Sequence, residues 1–156
     1  MQPIEHPLDH CRPLIVEDNP GDARLLMEAF KRCGVPASNL EVAIDGEQAV
    51  LVLSAKALAA ATDERARPSF IVLDLWLRRR TGTAVLEWLK SQPALSSVPV
   101  MILTGMERVH EMARALELGA DSSYLKPFLF SELVETIRTM LARWREIARS
   151  SSPTPA

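Results

Sequence analysis

Long hydrophobic runs are missing from this chain. No stretch of its 156 residues approaches the roughly 20 consecutive apolar residues that cross a bilayer, so no membrane span is expected. Cysteine is scarce. Cys11 and Cys33 have neither the spacing of a metal clip nor the number for a disulfide framework, and both read as free thiols. Neither sign of charge dominates: the formal net charge of −2 gives no general pull toward nucleic acid or an anionic membrane. Met1 to Pro13 carries acids, histidines and prolines in place of a basic segment with an apolar core, so it does not read as a secretion signal. Helix-turn-helix and other nucleic-acid reading modules are absent, and Arg78-Arg79-Arg80 reads as a solvated loop. These absences leave a cytoplasmic protein, with no membrane and no nucleic-acid partner, as the expectation.

What is present is an ordinary globular composition, 47% hydrophobic and 24% charged, enough for one domain with a single sizeable core. Strand-like and helix-like segments alternate five times. Leu14-Ile15-Val16, Leu40 to Ile44, Phe70 to Leu73, Val100 to Leu103 and Ser122 to Leu125 read as strands. Asp18-Asn19-Pro20 opens a first helix with Leu25, Leu26, Ala29 and Phe30 on one face, closed by Gly34 and Pro36. Asp45-Gly46 opens a second, which runs on through an alanine-rich stretch. Val85, Leu86 and Leu89 mark a third; Val109, Met112, Leu116 and Leu118 a fourth. The last runs from about Ser131 to Arg149, with Leu133, Ile137, Met140, Leu141, Trp144 and Ile147 at helical spacing. The alternation predicts a doubly wound, five-stranded parallel sheet of order 2-1-3-4-5 with helices on both faces. Residues 1–12 are expected as an amino-terminal arm, holding His6, His10 and Cys11, residues 13–149 as the domain, and residues 150–156 as a disordered tail.

Four of the strands end in reactive side chains: Glu17-Asp18, Asp74, Thr104 and Lys126. Open α/β sheets place their chemistry at this carboxyl edge. Three carboxylates gathered there repel, so one stays protonated or a cation sits among them. Hard oxygen ligands with room for water suit Mg²⁺. With an ammonium and a hydroxyl nearby, such a site handles anions, and a carboxylate oxygen can attack a phosphoryl group in line to give an aspartyl phosphate.

Leu14 to Pro20, Asp45-Gly46, Val72-Leu73-Asp74-Leu75, Gly82, Leu103-Thr104, Gly119-Ala120 and Tyr124 to Phe128 together resemble the receiver domain of two-component response regulators. The resemblance implies a flavodoxin-like fold and phosphorylation of Asp74 by a histidine kinase. It also implies Mg²⁺ held by Glu17, Asp18, Asp74 and the main-chain carbonyl of Trp76. Lys126 would pair with the phosphoryl oxygens, next to a cis bond to Pro127. Thr104 would share a hydrogen bond with the phosphoryl group and shift, and Tyr124 would swing inward with it.

The chain departs from the usual pattern with Trp76 and the arginine loop after Asp74. A bulky indole there, with Met106 past Thr104, would change how water reaches the acyl phosphate. The Glu-Asp-Asn-Pro opening, the lengthened Ser54 to Pro68 segment and the helix reaching Trp144 are similar to stand-alone regulators that accompany phytochrome-type kinases, which implies a bacteriophytochrome-type histidine kinase as partner. On this reading the protein is a single-domain signalling protein, not an enzyme acting on an external substrate. The alternative is a receiver-fold interaction module that acts independently of phosphorylation. Trp144 and Ile147 are expected to lie beyond the sheet and to make a homodimer seam with the fourth helix and the Tyr124 strand.

Overall fold

The computed structural model describes residues 5–151. Five short strands, β1 (Leu14–Val16), β2 (Glu41–Ala43), β3 (Ile71–Leu73), β4 (Val100–Thr104) and β5 (Ser122–Leu125), form one parallel sheet in the order β2-β1-β3-β4-β5. Five α-helices lie between and after them: α1 (Pro20–Arg32), α2 (Gly46–Ala60), α3 (Gly82–Ser91), α4 (Met112–Glu117) and α5 (Phe130–Ser150). The predicted topology is the observed one.

Alternation along the strands builds two cores from one set of residues, because successive side chains point to opposite faces. Leu14, Val16, Ile71, Leu73, Val100 and Ile102 pack with Ala49 and Leu53 of α2 and with Val85, Leu86 and Leu89 of α3. Ile15, Val72, Met101 and Leu103 face Leu26, Ala29 and Phe30 of α1 and Leu133, Ile137, Met140 and Leu141 of α5. The central strands are buried on both faces, which is why they read as continuous apolar runs.

Local signals set the helix starts. Asn19 caps α1 by accepting the Asp22 amide, with Pro20 in the first turn; Asp45 caps α2 through the Gln48 amide; Thr81 caps α3 through the Ala84 amide. Gly82 then seats α3 against the end of β3: a Cβ there would lie 2.2 Å from the Asp74 carbonyl oxygen and 2.6 Å from the Leu75 Cα.

Four particulars depart from the sequence-based expectation. The fourth helix does not start at Val109: a 3-10 segment spans Met106–Glu111, and α4 covers only Met112–Glu117. Neither segment has a side-chain cap, and Ala115 is the residue of α4 that is buried, so Val109 and Leu116 are exposed. Leu25 likewise lies outside the buried face of α1. Trp144 does have core left to cover: its ring lies 6.2 Å from that of Phe70, and both Trp144 and Ile147 are half-buried, so the argument for a seam from stranded apolar residues on α5 does not hold. Finally, no peptide bond among the described residues is cis, so Lys126-Pro127 is trans, the isomer that X-Pro bonds intrinsically favour.

The described part of the amino-terminal segment joins the core. Leu8 and Cys11 are buried beside Phe30 and Phe70, and the Asn39 side chain donates to the carbonyls of Asp9 and Cys11 at 2.8 and 3.1 Å. Both cysteines are free, as expected; burial pushes the Cys11 thiol up to about 12, so it is inert at neutral pH. At the other end α5 runs to Ser150, and the expected tail from residue 152 on lies outside the described residues. Among the described residues no helix is long and apolar enough to cross a membrane.

Gly82→Ala is expected to cost about 2 kcal/mol or more, since backbone on both sides must shift to admit a methyl group. Thermal melting checks this; a melting temperature equal to the parent's would mean that α3 is not seated against Asp74 and Leu75 as described.

Candidate functional site

Register decides what meets at the carboxyl edge. Val16 pairs with both Ala43 and Leu73, so Glu17 and Asp74 leave adjacent strands at the same level. Leu73 pairs with Ile102, which sets Thr104 just beyond, and the Lys126 amide donates to the Thr104 carbonyl at 2.9 Å as β5 ends. Four strands thereby deliver an acid, an acid, a hydroxyl and an ammonium to one place.

Asp74 is 5% exposed and engaged at both carboxylate oxygens. Its Oδ1 accepts the Thr104 hydroxyl at 3.0 Å and the Trp76 amide at 3.0 Å; its Oδ2 accepts the Lys126 ammonium at 2.6 Å. Lys126 also reaches Glu17 Oε1 at 2.9 Å and Asp22 Oδ2 at 3.2 Å. In this structure the Lys126 ammonium is the positive charge lying among these acids. It uses all three of its N–H groups on three carboxylates.

One positive charge does not balance three negative ones in a partly dry site. Burial, and then the neighbouring Asp74 carboxylate, push Glu17 up to about 9 against the pull of Lys126. Burial also works on Asp74, but the Lys126 hydrogen bond and charge, with the Trp76 amide, outweigh it and hold Asp74 below the usual carboxylate range. For Lys126 burial alone would lower the value; Asp74 and Glu17 more than reverse it. The three groups are pushed in different directions: Asp74 toward its carboxylate, Glu17 toward its protonated acid and Lys126 toward its charged ammonium.

Glu17 Oε2 is buried without a hydrogen-bond partner, an orphaned acceptor beside the acid pair. Asp18 lies at the rim, where its Oδ2 accepts the Arg78 amide at 3.2 Å and faces the Arg78 guanidinium at 3.7 Å. An open cleft of about 420 Å³ above the cluster is lined by Glu17, Asp18, Asp22, Asp74, Trp76, Arg78, Glu107 and Lys126. Among the described residues no three acidic, histidine or cysteine side chains converge as a ready-made metal cage. A hard cation that keeps most of its water needs only one or two carboxylates, and the orphaned Glu17 oxygen with the rim carboxylate of Asp18 fits that demand.

Trp76 stands at the mouth of the cleft, 52% exposed, with the Arg108 guanidinium 4.5 Å from its ring centre. Arg108 is held in turn by Glu111 at 2.9 Å, and Met106 is exposed beside this segment. Tyr124 is half-buried against the α1/α5 core and pairs in register with Leu103, one residue short of Thr104. Sequence reasoning thus found Glu17, Asp18, Asp74, Thr104 and Lys126 as one constellation, with Trp76 and Tyr124 at its margins. It missed Asp22 and Arg78. An acid one helical turn after Asp18, in the first turn of a helix starting at the carboxyl edge, was the available signal for Asp22.

Comparison with known proteins agrees with this geometry. The profile of the response regulator receiver domain matches residues 14–138. The probable methanogenesis regulatory protein FilR2 of Methanothrix harundinacea is 31% identical over 140 residues, covering 90% of this chain and 87% of that protein. The transcriptional regulatory protein PrrA of Mycobacterium tuberculosis is 32% identical over 143 residues, covering 92% of this chain and 55% of PrrA; the chain spans about half that relative's length. Among solved structures, the phosphorylated cyanobacterial phytochrome response regulator RcpA superposes with a TM-score of 0.74 at 28% identity, covering 94% of this chain and 99% of that one. The Mn²⁺-bound response regulator Rcp1 gives 0.64 at 28% identity over 94% and 99%. The bacteriophytochrome response regulator AtBRR gives 0.62 at 31% identity over 82% and 91%. A buried aspartate clamped by a lysine and a threonine at the edge of a β2-β1-β3-β4-β5 sheet, matched along nearly its whole length, places this chain in the response regulator receiver domain family.

Proposed function

We propose that Asp74 is the phosphoacceptor of this chain and that it takes its phosphoryl group from a phosphohistidine on a sensor kinase. The observation that carries the reading is the setting of Asp74: buried, pushed toward its carboxylate, and fixed at both oxygens by groups that can let go. In the transfer an Asp74 oxygen forms a bond to phosphorus as the bond from phosphorus to the histidine nitrogen breaks, and the leaving imidazole keeps that electron pair. The Lys126 ammonium is placed to follow the charge from carboxylate to phosphoryl oxygens. The Thr104 hydroxyl, which donates to Asp74 Oδ1, can turn to a phosphoryl oxygen instead. That turn would vacate space beside β5 for the ring of Tyr124, a packing change of the kind a local charge can bias.

Glu17, Asp18, Asp74 and the Trp76 carbonyl would hold Mg²⁺. Bound there, Mg²⁺ neutralises charge on the transferring group. The chemistry is confined to the protein's own aspartate, so signalling passes through contacts with other proteins. Likeness to RcpA and AtBRR supports a phytochrome-type kinase as the donor. A homodimer through α5, α4 and β5 is also proposed, now on the exposed Leu116, Leu125, Leu129 and the 97% exposed Phe128 rather than on Trp144. Light scattering should give a dimer that Leu116→Glu with Leu125→Glu converts to a monomer; a monomeric parent, or a dimer that survives both changes, contradicts this seam.

Three further outcomes follow. Incubation with acetyl phosphate and Mg²⁺ should add the mass of one phosphoryl group to the parent and none to a folded Asp74→Asn variant, as read by intact mass. Trp76→Ala, which removes the ring and its Arg108 partner from the cleft mouth, should speed dephosphorylation roughly 3- to 10-fold, a barrier change of up to ~1.4 kcal/mol. An unchanged rate of phosphate release would show that the indole does not shield the acyl bond.

The third outcome concerns protons. A divalent ion needs Glu17 ionised, while the metal-free site holds it protonated up to about 9. Binding at neutral pH should therefore expel a proton, and affinity should rise as pH climbs toward that value, by up to about tenfold per unit, and level off above it. Calorimetry in buffers of different ionisation enthalpy measures the proton; Glu17→Gln should release none, and a parent that releases none refutes the assignment.

A further inference from the structure

At the opposite end of β1 from Asp74 the protein carries a second concave site with the opposite charge. Two adjoining open cavities, of about 490 and 580 Å³, share Arg12, Arg65 and Arg67 in their walls. Each volume falls in the range of sites for small molecules; the first cavity is lined mainly by polar surface and the second mainly by apolar surface. Of the acids in the lining, Glu41 is paired with Lys56 at 2.8 Å, and Glu5 lies 3.5 Å from the His10 ring, an ion pair only when that imidazole is protonated. Arg12, Arg65 and Arg67, like Arg24, Arg32, Arg80, Arg145 and Arg149, make no ion pair with any described residue; what sets these three apart is that they line one cleft together.

The arginines are placed by backbone and not by carboxylates. The Arg12 amide donates to Ser69 Oγ at 2.8 Å and the Ser69 amide donates back to the Arg12 carbonyl at 2.9 Å, which ties the end of the amino-terminal segment to the approach to β3. Arg67 spends its Nε on the Ala94 carbonyl at 2.7 Å, leaving its terminal nitrogens for the cavity. Arg65 sits on a 3-10 turn capped by Asp63. Guanidinium groups are permanently charged planar forks that match phosphate oxygens two at a time.

We infer that this cleft is a binding site for a small polyphosphorylated molecule of nucleoside di- or triphosphate size, separate from the phosphoacceptor site. Its concavity suits a compact anion better than an extended acidic chain. Charge and shape supply the recognition, and no covalent step is involved.

The test is titration of the full chain with ATP, pyrophosphate and adenosine in EDTA, so that metal at the acidic site contributes nothing. ATP and pyrophosphate should give a saturable one-to-one isotherm, adenosine none, and Asp74→Asn should bind like the parent. Arg12→Gln with Arg65→Gln should weaken ATP at least about tenfold. Arg65→Gln alone, on an exposed turn, should weaken it measurably and guards against misfolding of the double variant. No saturable binding, equal affinity in the folded variants, adenosine binding as tightly as ATP, or a polyglutamate peptide outcompeting ATP would each overturn the inference.

Discussion

The Lys126 ammonium sits among Glu17, Asp22 and Asp74 at the carboxyl edge of the sheet, and everything else at that edge depends on it. Taking carboxylates out of water is costly unless they are paired, and removing one partner of a buried pair leaves the other uncompensated. Here one cation is shared by three acids, and burial beside Asp74 pushes Glu17 toward its protonated form. The arrangement is stable and incomplete together: Asp74 is held as a reactive anion, and Glu17 retains an oxygen with nothing to bond. A site that must accept a dianionic phosphoryl group and then lose it needs such spare capacity.

The fold's part is to set levels. The strands are only three to five residues long, but their parallel register brings Glu17, Asp74, Thr104 and Lys126, at or just past their carboxyl ends, to one place. Gly82 lets α3 begin against the Asp74 carbonyl, and the 3-10 segment after β4 puts Arg108 over Trp76. The second face, built on Phe30, Phe70 and α5, closes over Leu8, Cys11 and Trp144. Burial of Trp144 against Phe70 moves the argument for self-association from the helix end to the exposed residues around β5.

The sheet and the site were legible in the sequence because each rests on local signals. Three apolar runs and the Ser122 to Leu125 strand ended in chemistry-bearing residues, and caps at Asn19 and Asp45 stood where helices begin. What was not legible depends on contacts between distant segments. The face of α4 was misread because periodicity in a short, uncapped segment does not say which residue meets the sheet; Ala115, not Val109, does. Asp22 and Arg78 look like ordinary surface charges until the tertiary structure sets them against Lys126 and Asp18. The arginine cleft joins residues 12, 65 and 67 across two connections, and no spacing along the chain announces it.

The most direct test of the central claim is to locate the phosphoryl group chemically. After phosphorylation in Mg²⁺, borohydride reduction converts an aspartyl phosphate to homoserine, and peptide sequencing by mass spectrometry reads its position. The account predicts homoserine at Asp74 and at no other acid, with Glu17, Asp18 and Asp22 unmodified. Homoserine at Asp18 or Asp22, hydroxynorvaline at Glu17, or a phosphoryl group that resists reduction and sits on a serine, threonine or histidine, would contradict it.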